Sequence, residues 1–138
     1  MTGLTWDAAQ RLVNRGIELG RERELSMTIA VLDGGRELKA FGRADGAMLV
    51  TIQFAIGKAY TACSMNRTTD TLAQRTWSGG DLHGLETAHS PALIPIGGGA
   101  PLRAAGQLVG AVGVSGGTPV QDHELALELA QLYEAGGL

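Results

Sequence analysis

One cysteine, no basic run, and no apolar stretch long enough to cross a bilayer set the first limits on this chain of 138 residues. Cys63 has no partner for an intrachain disulfide, and a cysteine-based metal site needs a second thiol. Lysine and arginine total 11 against 14 aspartates and glutamates, a net charge of −3. Nucleic-acid binding calls for a basic stripe, and none exists; Arg21 to Glu24, the densest charge cluster, mixes signs and reads as a solvated helix end. The apolar segment Met48 to Ile56 is too short to span a membrane and runs into Lys58. The start, Met1 to Trp6, lacks a basic segment followed by an apolar run, so no signal peptide is expected and the expected compartment is cytoplasmic.

What is present is a globular composition: 44% hydrophobic and 18% charged residues, enough for a packed core within one domain over residues 1–138. Glycine is abundant, 21 in 138, without a collagen-like period, and is expected at turns and close backbone approaches.

Thr5 is a plausible cap for a first helix whose apolar positions are Ala9, Leu12, Val13 and Ile17. Leu25 to Leu32 and Glu37 to Phe41 flank Asp33-Gly34-Gly35 and read as a hairpin, with the glycines supplying positive φ. Met48 to Met65 is an apolar helix with Met48, Ile52, Ala55, Ile56, Ala59 and Cys63 on one stripe. Further apolar residues on its other sides call for cover on more than one side, which hints at an oligomer. A short helix is expected from Thr69 to about Trp77, then a long polar loop, Ser78 to Ser90, of the kind that often binds ligands. Leu93 to Ile96 reads as a short strand. A second hairpin runs from Leu102 through Ala105-Gly106 into Gln107 to Ser115. The last helix has Thr118 as cap, Pro119 at its first position, Gln121 completing a capping box, and Gly136 as its stop. The sum is an α+β domain with a five-stranded, mainly antiparallel sheet covered by helices.

Four stretches in this order resemble the GlcG/HbpS family, which includes the C-terminal domain of PduO-type corrinoid adenosyltransferases. They are Arg43 to Ala47, Ala55 to Ala62, Pro95 to Leu102 and Gly110 to Asp122, and the likeness covers nearly the whole chain. The resemblance implies an α/β/α sandwich, homo-oligomers, and binding of haem or a related tetrapyrrole, with a haem-degrading or iron-handling role in some members. Others accompany catabolic genes.

Several motifs need weighing. Gly113-Val114-Ser115-Gly116-Gly117 has the spacing of a nucleophile elbow between a strand and a helix, yet the chain is short and the sheet antiparallel, so a tight turn is the favoured use. Gly57-Lys58 fails as a phosphate loop, because Ile52 and Ala59 stand where glycine and Ser or Thr are needed. Lys58 is the sole charge in its helix: either its stem covers apolar surface, or it meets a carboxylate or propionate at a pocket. His83 and His89 share the long loop and offer imidazole to a haem iron. Arg75 and Trp77 can pair with and stack on a planar ligand, although a core position for Trp77 is the favoured reading, as a solvated one is for His123.

The leading expectation is therefore a haem or small-ligand binding domain whose polar groups are Lys58, Arg75, His83 and His89. The alternative is a cofactor-independent lyase or isomerase acting on a small carboxylate, with Lys58 or His89 moving the proton. A third is an accessory subunit without a working pocket.

Overall fold

A computed structural model describes residues 3–138. Helix α1 (Trp6–Glu22) starts where Thr5 Oγ1 accepts a hydrogen bond from the Ala8 amide at 3.1 Å. Its buried stripe, Ala9, Leu12, Val13, Gly16 and Leu19, falls on one side at helical spacing. Strands β1 (Thr28–Asp33) and β2 (Leu38–Arg43) form the first hairpin, and β3 (Gly99–Ala104) and β4 (Gln107–Ser115) the second. They join in one four-stranded sheet of order β2-β1-β4-β3 with every pair antiparallel. Helices α1 and α4 (Pro119–Glu134) pack on one face, and α2 (Val50–Met65) packs on the other. Strand β1 is accordingly buried on both sides: Ile29 and Val31 join the core under α1 and α4, and Ala30 and Leu32 the core under α2.

The sheet has four strands, not the expected five. Leu93 to Ile96 joins no strand: the Leu93 amide donates to the Glu86 carbonyl at 3.2 Å, and two further backbone groups meet threonine side chains. Thr61 Oγ1 accepts the Ile94 amide at 2.8 Å, and Thr69 Oγ1 donates to the Ile96 carbonyl at 2.6 Å. Thr69 Oγ1 then accepts the Gly99 amide at 2.9 Å, pinning the start of β3. The segment is a strap over α2, a role that short apolar runs share with buried strands.

The first hairpin forms, with its positive φ moved: Arg36, at 67°, takes the left-handed position. Asp33 Oδ1 accepts the Gly35 and Glu37 amides at 2.9 and 3.1 Å, and this side-chain turn removes the need for glycine there. The second hairpin turns on Ala105 and Gly106, φ 50° and 78°, the pair of positive angles a type I′ turn requires. The capping box at Thr118 and Gln121 is present in both directions. The short helix after Thr68 is a 3₁₀ turn (Thr69–Leu72) followed by α3 (Ala73–Thr76).

Helix α2 meets the sheet through small residues. Ala55, Ala59, Ala62 and Cys63 are buried, whereas Met48, Leu49, Val50 and Phe54 are exposed. Among the described residues no helix is long and apolar enough to cross a membrane. The Cys63 thiol is buried and receives no good donor, and burial pushes it above its ordinary range. Cys63 should therefore react with a disulfide reagent at pH 8 about tenfold or more slowly than an exposed thiol. Its rate should rise to the free-thiol value in denaturant, and fast labelling of the native protein would contradict this burial.

Candidate functional site

Two cavities adjoin at the N-terminal end of α4, sharing Ile96 and Pro119 as a common wall. The first is a cleft of about 250 Å³ between α3 and α4, lined by Trp77, Ile96, Pro119 and Val120 with His123 and Asp70. Trp77 is 61% exposed and Val120 65%, so the apolar wall faces outward and Trp77 is not a core anchor. His123 is only 26% exposed, and its Nδ1 lies 3.6 Å from Asp70 Oδ1. That distance is too long for a hydrogen bond, and Nδ1 is buried without another partner.

The second cavity, about 160 Å³, lies between the start of α2 and the turn from β4 into α4. At its floor is Lys58, which is 1% exposed and is neither solvated nor free. Its ammonium donates to Asp122 Oδ2 at 2.9 Å and to the Val114 carbonyl at 3.0 Å. Asp122 Oδ1 in turn accepts the Gly117 amide at 2.8 Å. Burial outweighs the attraction of Asp122 and holds the Lys58 ammonium below its ordinary pKa. Ser115, the centre of the elbow-like motif, lies 4% exposed at the end of β4. No histidine lines this cavity, so the serine has no triad.

The sequence-predicted residues are thus spread over separate places. Arg75 is on the surface, held by Asp81 through hydrogen bonds of 3.1 and 3.0 Å, and that carboxylate raises the guanidinium pKa while its own falls. His83 is exposed on the long loop. His89 is exposed too, with Nδ1 3.0 Å from the Pro91 carbonyl and its ring 5.9 Å from that of Tyr60. Neither loop histidine lines a cavity described above. Sequence reasoning missed Asp122 as the partner of Lys58 and the pairing of Asp70 with His123. Both pairs join residues more than 50 positions apart, and no local spacing signals such contacts. The one available hint was Asp122 and His123 at the positive end of a well-capped helix.

Another concavity, about 630 Å³, lies between the two hairpin turns, lined by Leu4, Asp33, Lys39 and Gln107 among others, and holds no histidine. Among the described residues no three His, Cys, Asp or Glu side chains converge as a metal site.

Comparison with known proteins gives a consistent picture. Residues 4–131 match the family model described as haem degrading protein HbpS-like. An uncharacterized 15.0 kDa protein from the dhaT-dhaS intergenic region of Citrobacter freundii is 32% identical over 123 residues, covering 89% of this chain and 87% of that protein. The crystal structure of the Klebsiella pneumoniae protein ORFY superposes with a TM-score of 0.92 at 30% identity, over 98% of this chain and 93% of that one. The PduOC:heme complex superposes with a TM-score of 0.88 at 27% identity, over 94% of each chain.

Proposed function

This chain belongs to the HbpS-like family, and on that premise we propose that it binds haem in the cleft between α3 and α4, with His123 Nε2 as the iron ligand. The observation that carries the reading is the His123 ring, set in an outward-facing apolar cleft with the Asp70 carboxylate 3.6 Å from its Nδ1. Metal-ligating histidines commonly turn one nitrogen towards a carboxylate and the other to the metal. The donor set fits the group, since one neutral imidazole and an aromatic wall are what haem asks of a protein. Haem held there would supply its iron's redox chemistry, and the chain's residues would set access and polarity.

A cleft of about 250 Å³ is too small to enclose a tetrapyrrole, so one edge would lodge against Trp77 and Val120 while the propionates stay in water. Arg75, two residues before Trp77, is the cation proposed to meet a propionate by exchanging Asp81 for it. The loop leaving Trp77 carries His83, whose imidazole would be available to haem held in the cleft. His89 is turned to Pro91 and Tyr60 and is assigned no iron. Lys58 is assigned no propionate, because Asp122 already neutralises it.

Titration of the purified protein with hemin, followed in the Soret band, tests the reading. Saturation at one hemin per chain is expected, and Val120→Asp, which puts a charge on the apolar wall, should weaken binding about tenfold or more. A non-saturating signal, or one indifferent to Val120→Asp, would refute the cleft. Self-association through the exposed Met48, Leu49, Val50 and Phe54 is a further part of the proposal. Sedimentation should show an oligomer that Leu49→Asp dissociates, and a monomeric wild type would remove it.

A further inference from the structure

A cavity of about 280 Å³ lies beyond the cleft along α4, between that helix, the free edge of β3 and the turn that leaves α2. We propose that it binds a small monocarboxylate with a short apolar tail, through the guanidinium groups of Arg67 and Arg103.

These two arginines are set apart by what they do not meet. Arg11, Arg15, Arg23 and Arg75 each pair with a carboxylate. Arg67 and Arg103 line one cavity and, among the described residues, pair with none. Nor do they cap a helix. At the end of α4 the Gln131, Leu132 and Tyr133 carbonyls accept the amides of Ala135, Gly137 and Gly136. At the end of α2 the Ala62 carbonyl accepts the amides of Asn66 and Arg67. Arg103 is fixed by a different device. Asn66, in the left-handed conformation at φ 54°, accepts from Arg103 Nη2 at 2.7 Å. This holds the half-buried guanidinium at the cavity and spends one of its five N–H groups. Two guanidiniums left without a counter-charge at one hollow repel each other. A carboxylate between them removes that cost and accepts from both forks.

Charge and walls select the anion. Glu134 also lines the cavity, so two positive charges and one negative leave +1, which a single carboxylate neutralises and a phosphate dianion overshoots. Leu127, Ala130 and Pro101 form an apolar side, and Leu127 keeps 37% of its surface exposed. A short hydrocarbon tail laid on that side removes apolar surface from water. The exposed Gln131 adds an amide donor beside the arginines.

Sodium butyrate titrated into hemin-free, nitrogen-15-labelled protein, followed in amide correlation spectra, tests the proposal. Saturable shifts are expected at Arg103, Leu127, Ala130 and Gln131. Arg67→Gln and Arg103→Gln should each weaken binding about tenfold. Glu134→Gln should strengthen it about threefold, because it removes a like charge from the site. All three side chains are exposed or half-buried, so each variant keeps the fold. Butyramide, the neutral analogue, should leave the spectrum unchanged. Shifts that do not saturate, an equal response to butyramide, or an affinity untouched in both arginine variants would overturn the proposal. So would phosphate that moves the same amides at lower concentration than butyrate. Hemin plays no part in the assay, so the haem reading and this one fail separately.

Discussion

Gly113→Ala is expected to abolish the stable fold. A Cβ at position 113 would stand 1.9 Å from the Ala55 carbonyl oxygen and 2.8 Å from the Ala59 amide nitrogen. Both atoms belong to the backbone of α2, and no rotamer change relieves the clash. Helix α2 would have to lift off β4, reopening the core formed by Ala30, Leu32, Ala55, Ala59 and Ala111. Ordinary overpacking costs about 1–3 kcal/mol, and a clash with a whole helix should exceed about 4 kcal/mol. Urea unfolding followed by circular dichroism checks it. A midpoint near wild type would show that α2 does not lie this close to the sheet.

Asp122→Ala should be nearly as damaging, for an electrostatic reason. It leaves the Lys58 ammonium 1% exposed with the Val114 carbonyl as its remaining partner, and it frees the Gly117 amide from its acceptor. Removing one member of a buried ion pair costs about 3–5 kcal/mol, mostly from the charge left behind. Lys58→Met combined with Asp122→Leu removes both charges and should recover most of that loss. Stability should also carry the signature of the lysine. Its pKa in the fold lies below the unfolded value of 10.5, so between the two the unfolded chain binds more protons. Stability linked to Lys58 is therefore fully present above pH 10.5 and is lost as pH falls through the folded pKa. Stability of the wild type relative to Lys58→Met should rise with pH across that window alone. A pH-independent difference would mean that burial does not perturb the lysine.

Much of this architecture is legible from local chemistry. Thr118, Pro119 and Gln121 announce the start of α4 because a capping box is a matter of adjacent residues. Ala105-Gly106 marks its hairpin for the same reason. Leu93 to Ile96 misleads because apolar content does not say whether backbone groups will find a strand or a side chain, and here Thr61 and Thr69 intervene. Trp77 misleads because large apolar residues are usually inside, and in this protein it forms the outer wall of a cleft. Lys58 stands out in the sequence as a lone charge, but its partner is 64 residues away and emerges only when α2 and α4 are brought to opposite sides of the end of β4. His123 gives still less warning: its proposed role rests on its nearness to Asp70, which a 3₁₀ turn brings to the cleft.

The most direct measurement of the central proposal is a hemin titration of His123→Ala, His83→Ala and His89→Ala beside the wild type. His123→Ala should lose about tenfold or more in affinity and shift the Soret maximum, as expected when an iron loses its imidazole. His83→Ala should alter the spectrum with a smaller change in affinity, and His89→Ala should match the wild type. Unchanged affinity and spectrum in His123→Ala, or the full loss in His89→Ala, would contradict the account and move the haem away from the cleft.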